Sequence, residues 1–141
     1  ESLSRGAIRA VFVELAPKVV EILNKNIEKA GFVKDSKVIR ANAFKVGAPV
    51  GLNEPKYDLV FVDPPYLKSY DISQGSMLDG LLNILCGQLV PNAIVCVRTH
   101  HSVVMAERYY DLQMLERRKW GTMVVDILRY QPQAKANDDS V

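Results

Sequence analysis

Residues 57–66 read Tyr-Asp-Leu-Val-Phe-Val-Asp-Pro-Pro-Tyr, and the fold follows from them. Leu59, Val60, Phe61 and Val62 form an unbroken apolar run rich in β-branched and aromatic residues, the pattern of a strand buried on both faces. Asp63 comes next, and Pro64 and Pro65 end the strand because neither can donate to a ladder. A carboxylate therefore stands at the carboxyl end of a central strand with Tyr66 beside it, at the edge where open α/β sheets bind ligands. At a Pro usage of about 5%, a Pro-Pro pair occurs by chance in about one chain in three; flanking Asp and Tyr reduce this to roughly one in a thousand. The segment is the candidate active site.

Upstream, residues 8–15 are apolar, punctuated by Arg9, and read as a short buried strand ending at Glu14, with Leu15 after it. Pro17 suits a first helical turn, and Val19, Val20, Ile22, Leu23 and Ile27 recur at helical spacing up to the basic turn and glycine stop Lys29-Ala30-Gly31. Residues 37–41 read as another strand, ending at Asn42-Ala43-Phe44. Gly47, Pro49, Gly51, Asn53 and Pro55 mark a surface loop. The opening Leu3-Ser4-Arg5-Gly6-Ala7 reads as the last turn of a helix closed by glycine, so the chain is expected to start inside a domain.

Downstream, residues 67–76 form a polar loop. Met77, Leu78, Leu81, Leu82, Ile84, Leu85 and Leu89 form an amphipathic helix, Pro91-Asn92 a turn, and residues 93–97 an apolar strand running into Arg98-Thr99-His100-His101. Ser102 is expected to cap a short helix through Tyr110. Residues 112–119 and 123–130 make a hairpin through Trp120-Gly121-Thr122. Residues 132–141 read as a disordered polar tail, and residues 1–131 as a single domain. Strands alternate with helices until the hairpin, so the expected fold is α/β: a doubly wound sheet, parallel until an antiparallel ending, which resembles that of Rossmann-like folds.

The chain has 141 residues and a net charge of +2, too small a charge to establish or exclude a nucleic-acid partner. Cys86 and Cys96 lie alone in apolar segments, as buried thiols of a reducing compartment do. No apolar run approaches the roughly 20 residues that span a bilayer, and no signal-peptide layout is present, so a cytoplasmic location is expected.

The Val-Asp-Pro-Pro-Tyr motif at 62–66 resembles the [Asn/Asp]-Pro-Pro-[Tyr/Phe/Trp] signature of S-adenosylmethionine-dependent enzymes that methylate exocyclic amines. The Leu3-Ser4-Arg5-Gly6-Ala7 opening, Phe12-Val13-Glu14, Asn42-Ala43 and the hairpin from Arg117-Arg118-Lys119 to Tyr130 are similar to the RsmD-type enzymes. The resemblance covers about residues 1–131. It implies a class I methyltransferase sheet and S-adenosylmethionine as cofactor. The implied substrate is the 2-amino group of a guanine in small-subunit ribosomal RNA, naked or in the ribosomal subunit. That family also carries, upstream of the Leu-Ser-Arg-Gly-Ala helix, a strand with an Asp and a Gly-x-Gly loop. This chain starts after it, so the resemblance implies an amino-terminal truncation, with the missing strand between those carrying Glu14 and Asp63.

An exocyclic amine is a poor nucleophile because its lone pair is delocalised into the ring. Asp63 and the Pro64 carbonyl can accept its N–H groups and aim it, with Pro65 rigidifying the turn, and Tyr66 offers a ring for a flipped base. The plainer alternative is a strand end capped by Asp63. Glu14, with Leu15, is implied to hold the cofactor's ribose hydroxyls, although a solvated carboxylate near a helix start looks the same. Asn42, Ala43 and Phe44 are implied to hold its adenine, although Phe44 suits plain core equally. Arg117, Arg118, Lys119 and Trp120 form the densest basic-aromatic cluster, either an RNA contact or a solvated hairpin edge. Lys68, Ser69 and Tyr70 follow the motif and can touch substrate. His100 and His101 lack a third ligand and read as polar loop residues; no metal site is expected. Two other functions remain open: a DNA adenine or cytosine amino-methyltransferase, and a catalytically silent fragment that binds RNA or another partner.

Overall fold

A computed structural model describes residues 1–68 and 70–133, with the side chain of Tyr66 excepted. The tail expected over 132–141 lies, from residue 134 on, outside the described residues. The chain divides into two compact units, Glu1–Pro49 and Val50–Val141.

In the first unit, β1 (Ala10–Glu14) and β2 (Ser36–Arg40) pair in parallel, from Ala10 opposite Ser36 to Glu14 opposite Arg40. The crossover between them is α1 (Pro17–Lys29), which starts with Pro17 at its first position. It ends as the sequence suggests: Gly31 at φ +77° lets its N–H reach the Glu28 carbonyl at 3.0 Å and Phe32 N–H reach that of Ile27 at 3.1 Å. This is the paired closure that a left-handed glycine permits. The opening is likewise a short 3₁₀ turn, Leu3–Arg5, closed by Gly6 at φ +100°. No hydrophobic side chain here is fully buried; Val19 and Ile22 of α1 stay 47% and 58% exposed. A unit this small has too little interior to enclose them.

The second unit holds the core. Its sheet has the order β3 (Tyr57–Val62), β4 (Leu89–His100), β7 (Met123–Tyr130), β6 (Leu112–Trp120) and β5 (Arg108–Tyr109). β3 and β4 are parallel, and every later pairing is antiparallel. The mixed sheet with a closing hairpin is therefore as the sequence suggests. Among the described residues β1 and β3 each pair along one edge only, giving the two sheets β1-β2 and β3-β4-β7-β6-β5.

Alternation sets the faces. Ala93, Val95, Val97 and Thr99 of β4 are buried together with Val124, Asp126 and Leu128 of β7 and with Leu78, Leu81, Leu82 and Leu85 of α3 (Met77–Cys86). Each buried leucine contributes on the order of 2 kcal/mol. The opposite face is open, so β3 is not buried on both faces as its apolar run suggested: Leu59 and Phe61, exposed to 43% and 64%, share that face with Cys96 and Arg98.

Two further expectations need correction. Pro91-Asn92 is not a turn before the strand but a kink within β4: the pairing jumps from Tyr57 opposite Leu89 to Leu59 opposite Ile94, and Asn92 takes φ +66° to absorb the extra residues. The helix expected from Ser102 to Tyr110 does not form. Ser102 donates its backbone N–H at 3.2 Å to the His100 ring, with its hydroxyl 2.7 Å from the same Nδ1. The segment instead buries alternate residues, Val103 and Met105, before the short strand β5.

Candidate active site

Asp63 is positioned by register. Val62 lies opposite Val97 on parallel strands, so the next residue on each, Asp63 and Arg98, emerge side by side at the carboxyl ends of β3 and β4. Arg98 Nε sits 2.7 Å from Asp63 Oδ1, with both side chains about half exposed. This ion pair engages one of the two carboxylate oxygens. An open concavity of about 180 Å³ lies here, lined by Phe61, Val62, Asp63, Cys96, Arg98 and Val125. It is smaller than the roughly 300 Å³ at which enclosed ligand pockets begin.

Beyond Asp63, Pro64 is half-buried and Pro65 exposed. The chain then turns through the 3₁₀ segment Tyr66–Lys68, with Lys68 N–H bonded to the Pro65 carbonyl at 2.7 Å and the Lys68 side chain exposed. Tyr70 is followed by a compact turn in which Asp71 Oδ1 accepts the Ser73 N–H at 3.0 Å and the Ser73 hydroxyl at 2.6 Å. Asp79 completes this anchorage, its buried carboxylate accepting from Gly75 N–H at 2.8 Å and Tyr110 hydroxyl at 3.0 Å.

Glu14, Leu15, Asn42, Ala43 and Phe44 all fall in the first unit. The parallel register brings them together at one sheet edge, where Ala41 N–H bonds the Glu14 carbonyl at 3.2 Å. Glu14 Oε1 accepts the Ala16 N–H at 2.7 Å. Asn42 caps the short helix α2 (Ala43–Val46), its Oδ1 accepting the Phe44 N–H at 3.0 Å. Its amide oxygen is thus engaged and its NH2 is the group that can face a ligand. Ala43, first in that helix, has an N–H that the helix itself cannot bond. Leu15 is 57% exposed and Phe44 half-buried.

The basic cluster divides. Arg117 is bound inward: its Nη1 makes 3.2 Å contacts with both oxygens of Asp126, a carboxylate with no exposure, and its Nη2 donates to the Val103 carbonyl. Arg118 is paired on the surface with Glu116 at 2.7 Å. Lys119 and Trp120 are exposed, Trp120 to 59%. Burial holds Asp126 above the ordinary carboxylate range despite the pull of Arg117. Burial likewise raises the Cys86 and Cys96 thiols, so neither is the activated thiolate that a nucleophile requires. Among the described residues no group of three His, Cys, Asp or Glu side chains could hold a metal ion, and no helix is long and apolar enough to cross a membrane.

Sequence reasoning did not pick out Arg98, whose partner only the strand register reveals. It also set aside His100 and His101, which stand in a ring stack with Tyr70.

A family model described as Conserved hypothetical protein 95 matches residues 1–129. The chain belongs to that family. It is the RsmD-type family that the motifs resemble. Ribosomal RNA small subunit methyltransferase D of Haemophilus influenzae is 28% identical over 101 residues, which are 70% of this chain and 49% of that protein. The chain thus spans about half the length of the curated relative it matches. A solved structure from Escherichia coli, named as an inferred methyltransferase, YhhF, superposes with a TM-score of 0.76 at 22% identity, over 94% of this chain and 69% of that one. N-methyltransferase NodS from Bradyrhizobium japonicum, solved with S-adenosyl-L-homocysteine, gives 0.62 at 11% identity, over 93% and 71%. The fold is that of the class I methyltransferases.

Proposed function

We propose that this chain carries the reaction centre of an S-adenosylmethionine-dependent enzyme of the cytoplasm that methylates the 2-amino group of a guanine in small-subunit ribosomal RNA. The observation that carries this reading is the half-exposed Asp63 at the carboxyl end of β3, fixed by Arg98 and followed at once by the Pro-Pro turn. Family membership and the name of the Haemophilus relative support the RNA substrate.

Asp63 Oδ2 accepts one N–H of the amine, and the Pro64 carbonyl, which precedes a residue without an N–H, accepts the second. Withdrawing both hydrogens from the ring plane localises the nitrogen lone pair and points it along one line. The nitrogen sheds a proton on alkylation, and Asp63 is the base that the motif supplies. On the family motif, Tyr66 is the ring on which the base lies.

The donor set of the first unit fits an adenosine. Glu14 has a second carboxylate oxygen beyond the one held by Ala16, suited to a ribose diol. The Asn42 amide NH2 and the Ala43 N–H suit ring nitrogens, and Leu15 and Phe44 give apolar walls. Bound there, S-adenosylmethionine supplies an electrophilic methyl group on a sulfonium.

Calorimetric titration of the chain with S-adenosylmethionine tests the reading. Micromolar binding that is lost in Glu14→Ala supports it; millimolar or absent binding favours a non-catalytic RNA-binding module instead.

A further inference from the structure

Three rings meet where β4 ends. The His100 ring centroid lies 4.7 Å from that of Tyr70 at an interplanar angle of 31°, and 4.2 Å from that of His101 at 40°. Both pairs are tilted, the first within the ordinary range of aromatic pairs and the second just inside its lower bound of about 4.5 Å, so the three rings are in close contact. The central ring is fixed in its own plane by the Ser102 hydroxyl, 2.7 Å from Nδ1. His101 is tied through its backbone N–H to the Thr122 carbonyl at 2.9 Å, in the turn that joins β6 to β7. Tyr70 precedes the Asp71–Ser73 turn, which restrains its backbone. The outer rings, Tyr70 and His101, are exposed.

This stack stands beside the reaction centre. His100 and Arg98 occupy the same face of β4 two residues apart, about 7 Å along an extended strand, and Arg98 holds Asp63. On the other side, Trp120 of β6 lies opposite Met123, which lies opposite His100, so exposed Trp120 shares the His100 face. Lys119, opposite Val124, starts from the other face of β6, and its charge reaches His101 at the same sheet end. The carboxylates Asp63 and Glu116 are each matched by an arginine, and Asp71, next to Tyr70, is turned to the Ser73 N–H and hydroxyl. An exposed, preorganised ring stack bordered by positive charge fits nucleobases and phosphate, and its flat faces are accessible only to bases that are not already stacked in a duplex.

We propose that Tyr70, His100 and His101 form a stacking platform for an unpaired nucleotide next to the target base, with Lys119 meeting its phosphate. This rests on the RNA reading above and assigns how the RNA strand is held beside Asp63.

The test is fluorescence anisotropy of this chain with a labelled 12-nucleotide single-stranded RNA of mixed sequence, and with the same RNA as a duplex. His101→Ala and Tyr70→Ala should each raise the single-strand Kd about fivefold or more. His101→Phe and Tyr70→Phe, which keep a ring, should stay within about twofold of wild type, and none of the four should move the duplex Kd by more than that. Wild-type affinity in both alanine variants overturns the platform alone. So does a loss in His101→Phe as large as in His101→Ala, or an equal loss for duplex and single strand. Failure of the unaltered chain to bind either RNA overturns the RNA reading and the platform with it.

Discussion

Arg98 and Asp63 meet because β3 and β4 run parallel in a register that sets Val62 against Val97; the guanidinium Nε then closes to 2.7 Å on the carboxylate. The pair is about half exposed, so it contributes at most about 1 kcal/mol to stability. Its value is orientation: one carboxylate oxygen is held and the other is left to accept an amine N–H. Arg98→Gln should therefore leave the urea midpoint and the S-adenosylmethionine Kd nearly unchanged while lowering kcat about tenfold or more, as small misplacements of catalytic groups do. Steady-state kinetics beside a denaturation curve separate the two effects. An unchanged kcat removes Arg98 from the site.

Arg117 behaves differently because its partner is fully buried. Removing the guanidinium strands Asp126 in the interior, so Arg117→Ala should destabilise the fold by about 3 kcal/mol or more. Arg118→Ala and Lys119→Ala, both at the surface, should stay within about 0.5 kcal/mol. Urea denaturation of the three variants decides; a small effect at Arg117 would show its pairing with Asp126 to be dispensable.

The raised pKa of Asp126 fixes the sign of a pH effect. The folded chain holds this proton more tightly than the unfolded chain, whose Asp titrates near the ordinary 3.8. Between the two values the native state binds more protons, so Asp126 lowers stability as pH rises from about 3.8 through its folded pKa and has no further effect above it. Relative to Asp126→Asn, the unaltered chain should lose stability across that window. Paired urea titrations from acid to neutral pH measure the difference, and a parallel pair of curves contradicts it.

For RNA affinity, the hairpin charge best placed to meet a phosphate is Lys119, since Arg117 is committed to the core and Arg118 to Glu116. Lys119→Glu should weaken single-strand binding and reduce the slope of log K against log salt by about 0.7, because one fewer phosphate is neutralised. His101 adds a second handle. Partial desolvation, then repulsion from His100 and Lys119, hold its pKa below the ordinary 6.5. It is therefore neutral at pH 7, and RNA affinity should rise only as pH falls below 6.5, an increase that His101→Phe removes.

Much of the fold is legible because its signals are local. The apolar run 59–62, the glycine closures at Gly6 and Gly31, the leucine stripe of α3 and the Gly121 turn each announce their element. The misreadings occur where one residue type serves two structures. Left-handed Asn92 beside a proline looks like a turn but relieves a kink within β4, and Ser102 looks like a helix cap but binds the His100 ring. The Asp63 carboxylate was visible as the end of a strand; its Arg98 partner depends on register, which sequence does not state. Arg117 and Asp126 are closer to legible, since a two-residue connection after Trp120 sets them opposite each other.

The central claim is that Asp63 grips the amine that receives the methyl group. Its most direct test is the initial rate of labelled methyl transfer from S-adenosylmethionine to small-subunit ribosomal RNA by the protein that carries this chain, comparing Asp63→Ala with the unaltered sequence. The account predicts a rate at least about a hundredfold lower, with the affinities for S-adenosylmethionine and RNA within a few fold. A near-normal rate in Asp63→Ala would contradict it.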